Sequence, residues 1–506
     1  MTSWKTIPAD RYDVAVVGGG AAGMTAAIAA ARAGARVALL ERGERPGRKL
    51  LMTGNGKCNL GNRDLKPSHY YSDNMAMAAS VLERFGTEET IAFFSSLGLM
   101  VREKRGYLYP LSEQAAVVLD VLRYGLEREG VTVLTQAMVR EVSYFSGPTC
   151  SGAYSKRTVY SQKDNPSHAR SETQDIAGRP CRQQETADHG GQGYILQLDN
   201  GRRLWAGRVV LACGGQAAPK TGSDGSGYTL ARSLGHQVIV PVPSLVQLHC
   251  SEKYCKALAG VRAEGTIRIY TEKSLRQKRI HRDSPDCQSS GSGGKECPAP
   301  IRSSQNVRDD CIMEESGEIQ LTEYGISGIP VFQLSGGVNQ LLAQGEKLRA
   351  ELDFFPQYET AAYEQLCRGR MEHTGGGTVE TFFTGMLHKK IMSVCIRRAG
   401  LSPEQDVAGA DRQKLRQVFA LCRRLPFTVT GSHPFDSAQV CRGGVSMREV
   451  DAQLQSRRSP GLYLAGELLH VDGRCGGYNL QWAWASGYIA GNAAGAAEKR
   501  AALNTG

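Results

Sequence analysis

Three glycines near the N-terminus have the spacing of a dinucleotide-binding turn. Gly18, Gly20 and Gly23 form the pattern G-x-G-x-x-G directly after the run YDVAVV. In such a turn the first glycine permits a tight bend, the second lets a pyrophosphate approach the backbone, and the third lets the next helix lie close to the sheet. Glu41 follows 23 residues after Gly18, where an acid binds an adenosine ribose hydroxyl. The spacing predicts a dinucleotide site; the alternative is a purely structural glycine turn.

The elements around this turn are those that must position it. YDVAVV predicts a buried strand, residues 21–33 an Ala-rich helix, and RVALL at 36–40 a second strand. This order is a βαβ unit. The helix would offer a phosphate its N-terminal N–H groups and the positive end of its dipole.

A second candidate segment lies near the C-terminus. GLYLAGE at 461–467 predicts a buried strand that ends in Gly466 and Glu467, and a helix is expected to begin near 478–480. Gly476 and Gly477 lie just before that helix, whose first N–H groups can point at the pyrimidine carbonyl of a flavin. No second G-x-G-x-x-G follows a strand, since TGSDGSGY at 221–228 has no strand before it. One tightly held FAD is therefore favoured over NAD(P).

The segment GRKLLMTGNGKCNLGN, residues 47–62, has no sustained period of a helix or a strand. It follows Glu41 and the second strand, so it is expected to cross the nucleotide. Arg48 and Lys49 can meet phosphate or the flavin edge, and the glycines at 54 and 56 let backbone lie against a flat ring. We expect Cys58 and Asn59 to position the flavin rather than to react with it.

Composition and charge argue against several classes of protein. The chain has 506 residues, 41% hydrophobic and 22% charged, with a net charge of +11, which is typical of a globular protein of about three domains. The basic run KSLRQKRIHR at 273–282 lacks interleaved aromatic residues, so a solvated loop is favoured over a nucleic-acid groove. The 14 cysteines show no CxxC or zinc spacing, and no signal peptide or long apolar run is evident. We expect a cytoplasmic protein with reduced thiols, no metal site and no membrane contact.

The pattern of strands and helices divides the chain. Mixed strand and helix signals occupy 1–145, 193–235 and 426–506. Residues 146–192 are polar and are expected to form a disordered insertion. Strand-like runs indicate a β-rich inserted domain at 236–355, and helical periodicity indicates a helical inserted domain at 356–425.

Several motifs in order resemble the BaiN-like (YhiN-like) family of NAD(P)/FAD-dependent oxidoreductases. They are GGGAAGM, GRKLLMTGNGKCN, TGSDGSGYTLARSLGH, GISGIPVFQLS, PFTVTG with AQVCRGGVS, and GLYLAGELLHVDGRCGGYNLQWAWASG. The resemblance spans the chain except 146–192 and about 272–312. It implies an α/β fold, with a glutathione-reductase-type FAD-binding (Rossmann-like) domain and inserted β-barrel-like and helical subdomains. By this resemblance the FAD-binding domain is expected in three pieces, at 1–145, 193–235 and 426–506.

The resemblance also implies a set of FAD-binding residues in the glycine turn, the 47–62 segment, one strand end and the C-terminal turn: Gly18, Gly20, Ala22, Gly23, Glu41, Arg48, Lys49, Thr53, Gly54, Asn55, Gly56, Cys58, Asn59, Val139, Gly466, Glu467, Asp472, Gly476, Gly477, Asn479 and Leu480. Val139 is included because a strand is expected at 131–139, and the end of that strand usually touches adenine in this fold.

Three side chains within these motifs leave alternatives open. Cys58 and Cys475 are expected to converge on the flavin, where they could exchange with it as thiols or pack against it. Packing is favoured. His470 stands where the family commonly has an acid, and a surface or packing role is favoured for it.

The reaction implied is hydride transfer through flavin N5, from NAD(P)H to an electron-poor C=C such as a steroid-like enone, with a protein acid completing the reduction. Tyr107, Tyr109, Glu323 and Tyr324 are the candidate proton donors. Glu323 and Tyr324 are included because the family often reads Thr-His where this chain reads LTEYGISGIP.

Two other functions stay open at this stage. Other FAD proteins with a similar N-terminus modify tRNA, and the net charge is +11, so an RNA-modifying flavoenzyme is one alternative. A non-enzymatic, flavin-holding redox protein is the other. A small-molecule substrate is the favoured partner, and nucleic acid is not expected.

Overall fold

A computed structural model describes residues 10–145, 192–274, 311–372 and 376–503. Within these residues the strands, in chain order, are β1 (Arg11–Val17), β2 (Val37–Leu40), β3 (Gly61–Asn62), β4 (Tyr70–Ser72), β5 (Val101–Lys104), β6 (Tyr107–Pro110), β7 (Thr132–Leu134), β8 (Val139–Phe145), β9 (Gly193–Leu198), β10 (Arg203–Leu211), β11 (Val238–Ser244), β12 (Leu248–Cys250), β13 (Arg262–Thr271), β14 (Met313–Thr322), β15 (Gly325–Gly328), β16 (Leu348–Asp353), β17 (Leu425–Ser432), β18 (Val440–Val445), β19 (Leu462–Leu464) and β20 (Val471–Gly473).

The α-helices of the same residues are α1 (Ala21–Arg32), α2 (Met75–Arg84), α3 (Thr87–Ser96), α4 (Ala115–Arg128), α5 (Ser226–Ser233), α6 (Cys255–Leu258), α7 (Ile329–Ala343), α8 (Thr360–Glu372), α9 (Val379–Phe383), α10 (Lys389–Arg398), α11 (Arg412–Arg423) and α12 (Tyr478–Leu503). A short 3-10 helix spans Leu50–Gly56.

The largest sheet has the order β7-β2-β1-β10-β9-β8, and β19 also pairs with β10. The strands β7, β2, β1, β10 and β19 are parallel, while β9 and β8 are antiparallel additions. All four residues of β2 are buried, as is typical of parallel strands covered on both faces. The predicted βαβ unit is present as β1, α1 and β2.

Three glycines let α12 pack directly along α1. A Cβ atom added at Gly487, Gly491 or Gly495 would lie within 2.6 Å of a backbone carbonyl oxygen of α1. Their partners along α1 are Ala22, Ala26 and Ala30 in the same order, so the helices run parallel and both N-termini open toward one side. Nine residues of α12 precede Gly487, which extends its N-terminus about 14 Å beyond the contact.

The inserted β-rich region is a closed barrel with the strand order β12-β15-β14-β13-β16-β17. Its last strand is Leu425–Ser432, and all of it but Leu425 lies in the range 426–506 that is expected to belong to the FAD-binding domain. This segment instead pairs with β12 and β16. A barrel needs its closing strand wherever the chain supplies it, and here the chain supplies it after the helical insertion.

Helix α7 lies within 236–355, where the sequence pattern indicates a β-rich domain and marks no helix. It spans Ile329–Ala343 and begins with Pro330 in its first turn, where a missing N–H costs nothing. Because Val331, Leu334 and Val338 are buried against the barrel core, tertiary packing outweighs the weak helix propensity of this segment.

The helical insertion contains α8, α9, α10 and α11. Helices α9 and α10 are separate, because Gly385 adopts a φ of 87° between them. The predicted disordered insertion at 146–192 falls almost entirely outside the described residues. Most of the basic run 273–282 does so too.

Candidate functional site

The glycine turn after β1 has the geometry that its spacing predicts. Gly18 has a φ of 106°, and a Cβ on Gly23 would lie 1.8 Å from the Gly18 carbonyl oxygen. A Cβ on Gly20 would meet nothing within 4 Å. Gly20 is the N-cap residue of α1, and no side chain caps this helix. The first N–H groups of α1 therefore face open space beside Gly20.

Glu41 follows the end of β2 and lies against this turn. Its carboxylate accepts the backbone N–H of Gly19 at 2.8 Å and that of Gly43 at 2.7 Å. The two bonds fix the carboxylate beside the N-terminus of α1. A carboxylate has about four acceptor positions, so it keeps capacity for a further hydroxyl group.

The 47–62 segment owes its shape to residues in the left-handed region of backbone space. Gly54, Asn55, Gly56 and Cys58 have φ values of 56°, 53°, 82° and 55°. Glycine adopts this conformation without strain, and asparagine is among the few other residues that tolerate it. Residues 54–57 are exposed, whereas Cys58 is fully buried.

This segment meets the C-terminal turn across more than 400 positions of sequence. The Lys49 ammonium lies 2.8 Å from the Glu467 carboxylate. Asn62 donates to the Gly476 carbonyl at 3.3 Å. A Cβ on Gly477 would lie 2.7 Å from Asn59 Oδ1, so that glycine allows a close approach.

The side chain of Asn479, in the first turn of α12, stabilises the turn before this helix. Asn479 accepts the Gly473 N–H at 2.9 Å and donates to the Gly473 carbonyl at 2.8 Å. Gly476 and Gly477 have φ values of 118° and 94°. Helix α12 begins at Tyr478, as predicted, so its first N–H groups open beside the Asn59 loop.

Five other predicted cofactor residues lie in or beside these segments. We call the region between the glycine turn, the 47–62 segment and the turn before α12 the cleft. Ala22 and Gly466 are in contact, because a Cβ on Gly466 would lie 2.8 Å from the Ala22 Cβ. Thr53 caps its own turn by donating to the Leu50 carbonyl at 2.6 Å. Arg48 is exposed and Leu480 is half-buried.

Asp472 is buried and already paired. Arg442 donates from Nε to both of its oxygens at 3.1 Å, and Ser244 donates at 3.3 Å. Burial raises the pKa of Asp472, while Arg442 opposes that shift. Its carboxylate therefore joins the C-terminal turn to the pair of strands β11 and β18.

The position of Val139 differs from the prediction that it lies at the end of a strand. The predicted strand at 131–139 is two strands: β7 ends at Leu134, and Val139 begins the antiparallel β8. Between them, the Ala137 N–H donates to the Glu41 carbonyl at 2.9 Å. The end of the parallel strand thus lies beside Glu41, while Val139 pairs with Leu198.

The thiols near the cleft are protonated. Burial raises the pKa of Cys58 to about 12 and that of Cys475 to about 11. A thiol reacts through its thiolate, so these raised pKa values favour a packing role for both cysteines. Every cysteine in the described ranges is a free thiol.

His470 is 2% exposed, which excludes a surface position. Its Nδ1 lies 3.5 Å from Asp73 Oδ1, and its ring packs beside Tyr71. Burial lowers the pKa of His470, while the nearby Asp73 opposes the shift.

The four candidate proton donors lie in different places. Tyr107 packs on the C-terminal turn, since a Cβ on Gly476 would lie 2.9 Å from its Cε1. Tyr109 lies toward Lys57 and Glu113, and burial raises its pKa. Glu323 is exposed, whereas Tyr324 is half-buried in the barrel wall.

Three features of the described residues fit an FAD. The space beside Gly20 is open, α1 begins without a side-chain cap, and Asn59 Oδ1 is buried without a hydrogen-bond partner there. Buried polar atoms normally have a partner, so Asn59 suits a donor supplied by a bound group. Among these residues, no group of three or more His, Cys, Asp or Glu side chains could hold a metal ion.

The fold and the cleft define a Rossmann-type FAD-dependent oxidoreductase. The chain belongs to the family described as HI0933-like protein Rossmann domain, whose model matches residues 12–163 and 170–493. This confirms the resemblance and the predicted fold class.

Three curated relatives match nearly the whole chain. A 3-dehydro-bile acid delta(4,6)-reductase of Clostridium scindens is 34% identical, over 95% of this chain and 98% of that protein. Two proteins named ribosomal RNA dihydrouridine synthase are similar, from Haemophilus influenzae at 24% identity (94% of this chain and 96% of that protein) and from Escherichia coli at 26% (95% and 97%). In the described part of the chain, no helix is long and apolar enough to cross a membrane.

Proposed function

We propose that this enzyme reduces a C=C bond conjugated to a carbonyl group, with NAD(P)H as the electron donor. The observation that carries the proposal is the 34% identity to a bile acid delta(4,6)-reductase over 95% of this chain. The predicted function, hydride transfer to an enone-like substrate, is of the same class.

Residues from both ends of the chain would hold FAD. Gly20 and the N-terminus of α1 would receive the pyrophosphate, and Glu41 the adenosine ribose. The Asn59 loop and the N-terminus of α12 would receive the flavin. When bound, FAD supplies hydride transfer through its N5 atom.

The protein contributes orientation and electrostatics. The parallel packing of α1 and α12 directs two helix N-termini to one side of the cleft, where their dipoles favour negative charge. Gly54 and Gly56 have no side chains, so the backbone there could lie against a flat ring. Tyr107 is the candidate proton donor beside the C-terminal turn, and Tyr324 is the candidate in the barrel.

A second candidate is reduction of uridine in ribosomal RNA. It is favoured by the two relatives named ribosomal RNA dihydrouridine synthase. The C=C bond of uracil is also conjugated to a carbonyl, so one hydride-transfer site can serve either substrate class. The candidates differ in the size and charge of the molecule that must reach the cleft.

The test follows the flavin absorbance without oxygen. Purified protein loaded with FAD is mixed with NADH or NADPH, and the reduced protein is then mixed with a 3-oxo-4-ene steroid or an unmodified ribosomal RNA transcript. Bleaching by a nicotinamide and recovery with the steroid are expected. A flavin that stays oxidised with both nucleotides overturns the NAD(P)H donor.

Dithionite-reduced protein separates the two substrates. Reoxidation by the RNA transcript but not by the steroid would overturn the first candidate in favour of the second. In that case, RNA affinity should fall steeply as salt rises. The variant Gly20→Ala, which is expected to lose FAD, is the control for nonspecific reoxidation.

A further inference from the structure

Three rings meet in the barrel wall. The rings of Tyr324 and His433 are edge-on with centroids 4.6 Å apart, and those of His433 and His249 are also 4.6 Å apart. His249 and Tyr324 are 5.5 Å apart. Each ring therefore contacts the other two, and all three residues are half-buried. We call them the ring trio.

The pairing of three short strands assembles the ring trio. His249 lies on β12, where it pairs with Gly325 of β15 on one side and Gly431 of β17 on the other. Because neither glycine has a side chain, the space beside His249 is left to Tyr324 and His433, which stand just outside the two flanking strands.

The polar atoms of the ring trio are available for a ligand or for water. His249 Nε2 is buried without a hydrogen-bond partner among the described residues. Burial, and then the neighbouring His433, lower the pKa of His249, so this imidazole is neutral near pH 7 and can take up a proton. The Tyr324 hydroxyl makes no hydrogen bond to the described residues.

The ring trio lies near the boundary between the barrel and the FAD-binding domain. The His433 N–H donates to the Gln247 carbonyl at 3.1 Å, and two residues later the Phe435 carbonyl accepts the Ala218 N–H at 2.9 Å. Ala218 follows β10 of the large sheet. Since consecutive Cα atoms are about 3.8 Å apart, His433 stands close to the FAD-binding domain.

A series of contacts leads from the ring trio to the 47–62 segment. Val246, three residues before His249, packs in one small core with Cys441. The Cys441 N–H donates to Glu467 at 2.8 Å, and Glu467 pairs with Lys49. A short chain of contacts therefore joins the ring trio to the segment expected to cross the nucleotide.

We propose that the ring trio delivers the proton that completes reduction of the conjugated C=C bond. Tyr324 is the catalytic residue, since its O–H would meet the substrate. His433 and His249 are positioning residues that hold the phenol ring and resupply its proton. This inference rests on the proposed function.

The step balances with NAD(P)H as reductant. Hydride adds to one alkene carbon, and the π pair moves toward the conjugated carbonyl. The Tyr324 O–H bond then breaks, a C–H bond forms at the neighbouring carbon, and the bonding pair stays on the phenolate oxygen. His433 reprotonates the phenolate and recovers its proton from solvent. NAD(P)H is oxidised, and the alkene gains one hydride and one proton.

The test separates the two half-reactions of the FAD-loaded protein. Bleaching by NAD(P)H reports flavin reduction, and anaerobic reoxidation by a 3-oxo-4-ene steroid or by RNA reports the proton-dependent step. Tyr324→Phe should slow reoxidation about 100-fold or more, the range of general acid catalysis. FAD content and the rate of bleaching should stay within about twofold, which excludes misfolding.

Further variants and matched controls test the roles within the ring trio. Tyr324→His keeps an acid and should restore part of the rate lost in Tyr324→Phe. His433→Asn and His249→Asn should slow reoxidation about 10-fold and increase its solvent deuterium isotope effect. The controls are Tyr124→Phe, 67% exposed on α4, and His388→Asn, which keeps the N-cap of α10. Neither should change the rate.

Two results are decisive. Wild-type reoxidation rates in Tyr324→Phe would overturn the ring trio while leaving the proposed function intact. Failure of the wild-type protein to reoxidise with any steroid or RNA probe would overturn the proposed function and the ring trio with it.

Discussion

Lys49 and Glu467 form an ion pair of 2.8 Å between residues that are 418 positions apart in sequence. Glu467 also accepts the Cys441 N–H at 2.8 Å. One carboxylate thus joins the 47–62 segment, the end of β19 and the strand β18 that leads back from the barrel.

Removing this carboxylate should loosen all three segments. Glu467→Ala is expected to lower the free energy of unfolding by about 2 kcal/mol, the scale of hydrogen bonds to charged groups. Glu467→Gln keeps an acceptor for Cys441 and should lose about half as much. Urea unfolding of the flavin-free protein measures both. The control Glu380→Gln removes an exposed pair with Lys389 and should cost less than about 0.5 kcal/mol. Equal losses in all three variants would contradict the prediction.

The glycine turn offers a paired test of cofactor binding against folding. A Cβ at Gly20 meets no protein atom within 4 Å, whereas a Cβ at Gly23 lies 1.8 Å from the Gly18 oxygen. Gly20→Ala should keep or slightly raise the apoprotein melting temperature, because its φ of −79° suits alanine. The same variant should weaken FAD binding at least about 10-fold. Gly23→Ala should lower both. Tight FAD binding by Gly20→Ala would place the pyrophosphate elsewhere.

Cys58 and Cys475 should be inert at neutral pH. With pKa values raised to about 12 and about 11, both thiols should alkylate at least about 100-fold more slowly at pH 8 than in unfolded protein. Iodoacetamide labelling with peptide mapping measures this. The folded state holds these two protons more tightly than the unfolded state does. Their contribution to the free energy of unfolding is therefore complete below about pH 9 and is lost as the pH rises toward 11 and 12. Rapid labelling of native protein at pH 8 would favour a thiol role in catalysis.

Asp353 should be essential to the barrel. Its carboxylate is 0% exposed and lies 3.1 Å from Arg268 and 3.3 Å from Arg423. Asp353→Ala leaves two largely buried guanidinium groups with one partner fewer, which is expected to cost about 3–5 kcal/mol. The melting temperature measures the loss. Glu318→Ala, which removes an exposed pair with Arg262 on neighbouring strands, is the control and should change it little.

Local spacing was sufficient for much of the cofactor domain. The strand, glycine turn, helix and strand of 11–40, and the start of α12 at Tyr478, could be predicted from residue types alone. These features depend on neighbours within a few turns, such as the fixed offsets at which Gly18 and Gly23 touch. The assignment of the 47–62 segment to the nucleotide, made from its place after Glu41, stays a prediction.

Other features depend on partners far away in sequence. Helix α7 forms in a segment whose composition suggests strands, because the barrel buries one of its faces. The segment 426–432 joins the barrel rather than the FAD-binding domain, because the barrel lacks a closing strand until then. No local signal marks His249 or His433 as partners of Tyr324.

The sequence by itself determined the class of fold, the family and the cofactor, because these reside in short motifs whose spacing is set by backbone geometry. Only the tertiary structure decided that Lys49 meets Glu467, that Asn59 meets Gly477, and that two histidines surround Tyr324. Such contacts form between residues that are 75 to 418 positions apart. They depend on sheet order, barrel closure and the parallel packing of α1 on α12, none of which a local pattern contains.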